Sequence, residues 1–344
     1  MHISASSWLK FGLFTVGLGQ SFVFVLVPPL ARDLGLTEIQ TSSIFAISAM
    51  AWALTSAYWG RASDRYGRRN IAILGLIGYA ISLIALITPL FLVEKNFLSV
   101  TFLFPALVLG RLINGLVGSA TRPASFAYVA DISSEDKRTV KFARLESSFL
   151  LGTVAGPLLG GFLFLISNET PFYLFSFFAL VAALGIYKEL KPIDRVKEKS
   201  TSDNKISWYS KSIYPFLIFA TILSLCQASL IQSIGFYITD LFGNLDNLPT
   251  LISMTFALLS ISTIVSQYIF TDAFPMKNIS LLTIGSFLLI FSYFTMAFFQ
   301  SISFYYLSIM ILGFGFGMTR PALSSSLSLA QSPENQGSAA GYLG

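Results

Sequence analysis

The chain has 344 residues, of which 54% are hydrophobic and 11% charged, with a formal net charge of +5. A soluble domain carries about 25% charged residues, so this balance and a mean hydropathy of +0.71 exclude a soluble globular fold and point to a chain that sits in lipid. A single Cys (Cys226) and a single His (His2) exclude an intrachain disulfide, a CxxC site and a His-based metal site or catalytic dyad.

Apolar runs of about 20 residues, the length a helix needs to cross a bilayer, recur from end to end. The predicted spans are 8–30, 39–60, 71–93, 99–124, 145–166, 171–188, 213–238, 249–271, 279–299 and 302–325. The first has Lys10 before its apolar run and lacks a small-residue cleavage site, so it reads as a retained helix and not a cleaved signal; Gln20 is its polar residue. The fourth carries Arg111, Asn114 and Arg122. An arginine inside an apolar helix is costly and faces a cavity or a partner. Arg111 and Arg122 are eleven residues apart, which on a straight helix is close to three turns, one shared face and about 16 Å along the axis. The fifth span opens on Glu146, the seventh contains Gln227 and Gln232, and the tenth contains Arg320. Between the sixth and seventh, residues 188–212 are Lys, Glu, Asp, Ser and Asn-rich and read as a flexible linker. The expected organisation is 1–187 as a six-helix half, 188–212 as a cytoplasmic linker and 213–344 as a second half with four helices present.

With the N-terminus inside, the alternate loops hold seventeen Lys and Arg residues on the inner side and two, Arg32 and Lys95, on the outer. That asymmetry sets the orientation, with a cytoplasmic N-terminus. It also accounts for the basic balance without nucleic acid as a partner; lipid is the partner instead.

The halves repeat. Thr121-Arg122-Pro123-Ala124 in the fourth span matches Thr319-Arg320-Pro321-Ala322 in the tenth at an offset of 198 residues, and Gly115 meets Gly313 at the same offset. Gln20 and Asp33-Leu34 in and after the first span match Gln227 and Asp240-Leu241 in the seventh. Two matches in the same helical order imply two pseudo-symmetric halves around a midplane site.

Three motifs have physical content. Gly60-Arg61-Ala62-Ser63-Asp64-Arg65-Tyr66-Gly67-Arg68-Arg69 joins the second and third spans: Gly60 and Gly67 permit a tight turn, Asp64 accepts bonds from a helix N-terminus or an arginine, and Arg65, Arg68 and Arg69 hold the loop inside. Arg111 sits in Gly110-Arg111-Leu112-Ile113-Asn114-Gly115. In the fifth span, Gly152, Gly156 and Gly160 recur every four residues beside Pro157 and Gly161; the glycines form a groove for close helix packing, and the proline bends the helix.

These segments resemble the loop 2–3, fourth-helix and fifth-helix signatures of the major facilitator superfamily, and Ser332-Pro333-Glu334-Asn335-Gln336-Gly337 resembles a loop of its tetracycline-exporter-like branch. Ala62 stands where the family pattern has Leu. The resemblance implies an all-α polytopic membrane protein, not an enzyme, with ten of the family's twelve helices present and the partner of Asp64 lying beyond Gly344. It implies that the loop 2–3 motif latches the halves in the outward-facing state, that Arg111 is linked to proton transfer, and that the fifth-helix pattern marks an antiporter. The expected activity is export of a small organic compound, such as a drug, a secreted metabolite or a siderophore-like anion, in exchange for protons. A monomer in a bacterial inner membrane, with no cofactor and no metal, is expected. An uptake carrier is the runner-up, and a non-transporting sensor follows. In the family, helices one, four, seven and ten line the cavity, which makes Gln20, Arg111, Asn114, Arg122, Gln227, Gln232 and Arg320 the candidate lining; Arg111 and Glu146 are the proton-coupling candidates. With no acid in the middle of the first four spans, the arginines favour an anionic or zwitterionic substrate over a cationic one.

Overall fold

The computed structural model describes residues 5–164, 166–192, 210, 213–242, 248–299 and 301–331. The helices are α1 (Ala5–Asp33), α2 (Glu38–Tyr66), α3 (Arg68–Glu94), α4 (Leu103–Leu116), α5 (Thr121–Asp131), α6 (Glu135–Phe164), α7 (Thr170–Glu189), α8 (Tyr214–Phe242), α9 (Leu248–Gln267), α10 (Asn278–Phe298) and α11 (Ile302–Leu329). Six stretches are each long and apolar enough to cross a membrane: Arg68–Glu94, Val100–Asp131, Thr170–Glu189, Met254–Thr271, Asn278–Phe298 and Ile302–Leu329. α1, α2, α6 and α8 run 29 or 30 residues beside them, about 43–45 Å at 1.5 Å per residue. The predicted linker lies mostly outside the described residues, as do Ser332–Gly337.

Local chemistry sets the helix ends. Thr37 and Gln40 form a reciprocal cap at the start of α2, with the Gln40 Oε1 accepting from the Thr37 backbone N–H at 2.9 Å; each such cap contributes about 1 kcal/mol. Ser301 caps α11 through the Phe304 N–H. Two expectations about boundaries change. α2 continues to Tyr66, so the segment read as a loop from Gly60 is helix, and the turn into α3 is the single residue Gly67 at φ +93°. α6 begins at Glu135, ten residues before the predicted start. Its first turns are charged and read as loop, but Glu, Lys and Arg are good helix formers.

The fourth predicted span is not one straight helix. α4 ends at Leu116, a 3-10 turn covers Gly118–Ala120, and α5 resumes at Thr121. Gly115 abuts the Ser48 carbonyl, and Val117 fills the space where Gly78 has no side chain. Each residue of a 3-10 turn advances about 120° in place of 100°, so the shared face expected for Arg111 and Arg122 is rotated apart.

Two apolar cores form. One joins α1, α3, α4, α5 and α7 around Leu13, Phe22, Tyr79, Leu86, Phe172 and Phe175. The other joins α8, α9, α10 and α11 around Leu223, Leu259, Leu289, Tyr305 and Leu312. Their packing repeats in detail. Ser82 Oγ donates to Gly110 O at 2.7 Å in the first, and Ser292 Oγ donates to Ser308 O at 2.6 Å in the second. Gly75 lies against Thr121, and Gly285 against Thr319. Gly115 meets α2, and Gly313 meets α9. The fourth-to-tenth offset of 198 residues read from the sequence is thus an offset in the packing.

The two cores meet through α6, which touches α9, the π-turn Tyr268–Ala273 and α11. Thr139 Oγ1 lies 2.9 Å from Asn278 Oδ1 and 2.7 Å from Ser325 Oγ. Arg138 Nη1 donates to Ser328 Oγ at 3.4 Å, and Ser147 donates to Gln267 Oε1. The junction is therefore bonded along the first half of α6, from Arg138 to Ser147.

Candidate functional site

The α6 glycines decide where its polar residues point. A Cβ on Gly152 would overlap Phe14 O, one on Gly156 would overlap Leu18 O and Ser21 Oγ, and one on Gly160 would overlap the Phe22 ring. Gly152 and Gly156 seat α6 directly on the α1 backbone, and Gly160 seats it on the Phe22 ring. Gly161 faces open space, and the Pro157 side chain lies outside the described residues. With one flank fixed on α1, Glu146 and Ser147 turn toward α5, α9 and α11.

Glu146 is not at the start of its helix, as the predicted span had it, but eleven residues after Glu135, with its side chain only 3% exposed. It forms an ion pair with Arg122 of α5. The Arg122 guanidinium also lies 5.5 Å from the Phe126 ring centre and 5.4 Å from that of Phe149. Arg320 of α11, the repeat mate of Arg122, donates to Gln227 of α8, lies 5.8 Å from the Phe316 ring and is within electrostatic reach of both Glu146 and Arg122. The surplus of uncompensated positive charge expected from the sequence is thereby reduced: α6 brings one carboxylate to the Arg122 guanidinium.

Two residues that sequence reasoning passed over lie at the junction of the cores. Ser147, the residue after Glu146, bonds to Gln267 across the cores, and Gln267 is 1% exposed with no hydrogen-bond partner for its Nε2 among the described residues. A lone amide in the apolar run of α9 was the available signal.

Arg111 and Asn114 belong to a different environment. Arg111 is 3% exposed, 5.4 Å from Phe45 and 5.8 Å from Phe24, and forms no ion pair among the described residues. Its Nε and the Asn114 Oδ1 lack hydrogen-bond partners among the described residues. Both are embedded in the wall formed by α1, α2 and α4. Gln20 is half-buried on α1. Gln232 is on α8, with its side chain outside the described residues.

The Gly60–Arg69 segment forms a third group. Arg68 is buried and pairs with Asp64 and, at 3.2 Å, with Asp131 at the end of α5; its Nη1 donates to Ser63 Oγ at 2.8 Å. Arg69 donates to Leu190 O at 3.1 Å and lies over the Tyr187 ring, while Arg65 is exposed beside Tyr66. Gly60 is buried within α2. Asp131, the last residue of α5, closes this group.

Two halves packed alike, with a buried charge cluster at their junction, make the build of a multi-pass membrane transporter with a central site. The chain belongs to the Major Facilitator Superfamily, whose family model matches residues 9–344; this is a family of transporters, not of enzymes. The chain is similar to the quinolone resistance protein NorA of Staphylococcus aureus, 28% identical over 349 residues that cover 97% of this chain and 83% of that one. It is also similar to the class B tetracycline resistance protein of Escherichia coli, 28% identical over 57% of this chain and 47% of that protein. Among solved structures, the human organic anion transporter MFSD10 superposes with a TM-score of 0.79 at 20% identity, covering 98% of this chain and 88% of its own. That likeness is one of fold.

Proposed function

We propose that the chain is a proton-coupled exporter of a small organic compound, working by alternating access between a half at 1–187 and a half at 213–344. It acts as a monomer in a bacterial inner membrane, with the N-terminus in the cytoplasm and the basic loops inside. The observation that carries this reading is the burial of Glu146 against Arg122, with Arg320 of the other half in electrostatic reach. A buried carboxylate that is neutralised either by a neighbouring guanidinium or by a proton is a proton-relay element. Sitting where the halves join, its protonation state bears on how they pack. The tight seating of α6 on α1 and the drug-resistance relatives support export over uptake.

The test uses the full chain in reconstituted vesicles under an imposed pH gradient, with tetracycline and a quinolone as first compounds. Glu146→Gln keeps the shape and a hydrogen bond to Arg122 but cannot titrate. The expected outcome is loss of gradient-driven export with retained energy-independent exchange. Wild-type export and an unchanged pH profile in Glu146→Gln would refute the reading.

A further inference from the structure

The matched packing of the two halves differs at one place, and the difference decides where Arg111 points. α4 stops at Leu116 and α5 starts at Thr121, with the 3-10 turn Gly118–Ala120 between them. The repeat counterpart, α11, runs unbroken from Ile302 to Leu329, so Phe316–Met318 stay helical where Gly118–Ala120 do not. On a straight helix Arg111 and Arg122 would be about 20° apart around the axis. Three residues of 3-10 turn add about 60° and lengthen the segment by about 1.5 Å. Arg111 is thereby held between Phe24 and Phe45, 3% exposed, while Arg122 pairs with Glu146.

Two contacts of the first half are missing from the second. In an uninterrupted α-helix the Ala120 N–H would bond Leu116 O, four residues back. Here it bonds Val117 O at 3.0 Å, and Leu116 O accepts from the indole Nε1 of Trp59 on α2 at 2.5 Å. A hydroxyl on a helix carbonyl is no cause of the break, because both halves have one: Thr55 Oγ1 is 2.9 Å from Gly115 O, and Ser266 Oγ donates to Phe314 O at 2.9 Å beside an intact helix. The indole is different. α2 and α9 match at an offset of 211 residues, with Ala51 beside Gly115 and Ser262 beside Gly313, and at that offset Phe270 takes the place of Trp59. Its ring meets that of Phe314 and has no hydrogen to donate. The second contact is steric. Val117 fills the space left by Gly78 of α3. In the second half Leu288 stands at the Gly78 position and Gly315 at the Val117 position, and the filling residue comes from the other helix, Leu289 of α10 against Gly315.

We propose that Trp59 is a positioning residue for Arg111. With Val117 seated on Gly78, the indole holds the span broken, keeps Arg111 in the wall of α1, α2 and α4, and leaves Arg122 alone on the face that meets Glu146. The consequence is for the charge of the site: a straight helix would turn a second guanidinium onto that face, and added positive charge favours anions over cations there. The inference stands on the packing of the first half and does not rest on the proton role proposed for Glu146.

The test compares the full chain with a Trp59→Phe/Gly78→Ala variant in the same detergent. The first change gives the first half the ring that the second half has, and the second adds a Cβ that overlaps Val117. One readout is modification of arginines by 4-hydroxyphenylglyoxal, followed by peptide mass spectrometry. In the wild type the exposed Arg65 is expected to react, and the buried Arg68 and Arg111 to be protected. In the variant, modification of Arg111 is expected to rise about fivefold, the shift that loss of one hydrogen bond produces, with Arg68 still protected. The other readout is amide hydrogen exchange across Gly118–Thr121. It is expected to slow several-fold, because regular helix replaces the turn, whereas mere damage to the packing would speed it. Trp59→Phe alone is expected to give smaller changes of the same sign. Unchanged protection of Arg111 in the double variant overturns the proposal. Faster exchange across Gly118–Thr121 overturns it too, as does exposure of Arg68 together with Arg111, since the ring would then support the whole half and not the break.

Discussion

Adding one methyl group at Gly156 and one at Gly161 is expected to have opposite effects, although both are on α6. At Gly156 the new Cβ would fall on Leu18 O and Ser21 Oγ, with Leu18 C at 3.0 Å. The serine side chain has room to turn, but the α1 carbonyl does not, so α6 must retreat from α1. Overpacking of this kind costs about 1–3 kcal/mol, and a fixed backbone partner puts the cost at the upper end. Replacing a helix-interior glycine by alanine returns about 0.5–1 kcal/mol, leaving a net loss of about 2 kcal/mol for Gly156→Ala. At Gly161 no atom lies within 4 Å, so only the helical gain of about 0.5–1 kcal/mol remains. Thermal unfolding of the two variants in the same detergent checks the difference, and Gly156→Leu, with three further carbons, is expected to abolish transport. A Gly156→Ala protein as stable as Gly161→Ala would refute the close-packed seam.

Two further perturbations separate buried from exposed charge, and one core from the other. Arg68→Ala leaves Asp64 and Asp131 without their shared cation, with side chains only 17% and 7% exposed; breaking a buried pair costs about 3–5 kcal/mol, while Arg65→Ala, at an exposed site, stays within about 0.5 kcal/mol. Equal melting temperatures for the two variants would count against a structural role for Arg68. Thr139→Val removes the hydroxyl shared by Asn278 and Ser325 and weakens the closed junction by about 1 kcal/mol. In a Cys226→Ser background, Val140→Cys reports on the adjacent cleft, and its maleimide labelling is expected to rise about fivefold; unchanged labelling would show that these bonds do not hold the junction.

Much of the fold is legible because a bilayer reduces the problem to apolar length and loop charge. The repeat was legible for a related reason: glycine and small polar residues are needed wherever two helix backbones touch, so Gly115 and Gly313 recur with the contacts they serve. The boundaries at Tyr66 and Glu135 were not, since a helix that leaves the membrane carries the charges that mark a loop. The Arg111–Arg122 face was misread because one 3-10 turn between them is invisible to an arithmetic of 3.6 residues. Glu146 was singled out as a proton-coupling candidate, but its pairing with Arg122 was set by geometry. Gln267 went unnoticed because attention fell on the helices expected to line the cavity, whereas α9 reaches Glu146's neighbour from outside that set.

The described bonds across the junction are mostly neutral. Thr139, Asn278 and Ser325 form one group and Ser147 with Gln267 another, while Arg138 donates to an uncharged serine. The buried ion pair of Arg68 with Asp64 and Asp131 lies within one half, so it stiffens that half whichever way the halves lean. Neutral bonds contribute about 0.5–1.5 kcal/mol each, so a few of them sum to the few kcal/mol that separate two conformations of one protein. A one-unit change in the pKa of a single carboxylate is worth about 1.4 kcal/mol. The two scales match. A junction held by neutral bonds is therefore weak enough to be tipped by the protonation step proposed for Glu146, whereas a junction clamped by the Arg68 network would not be.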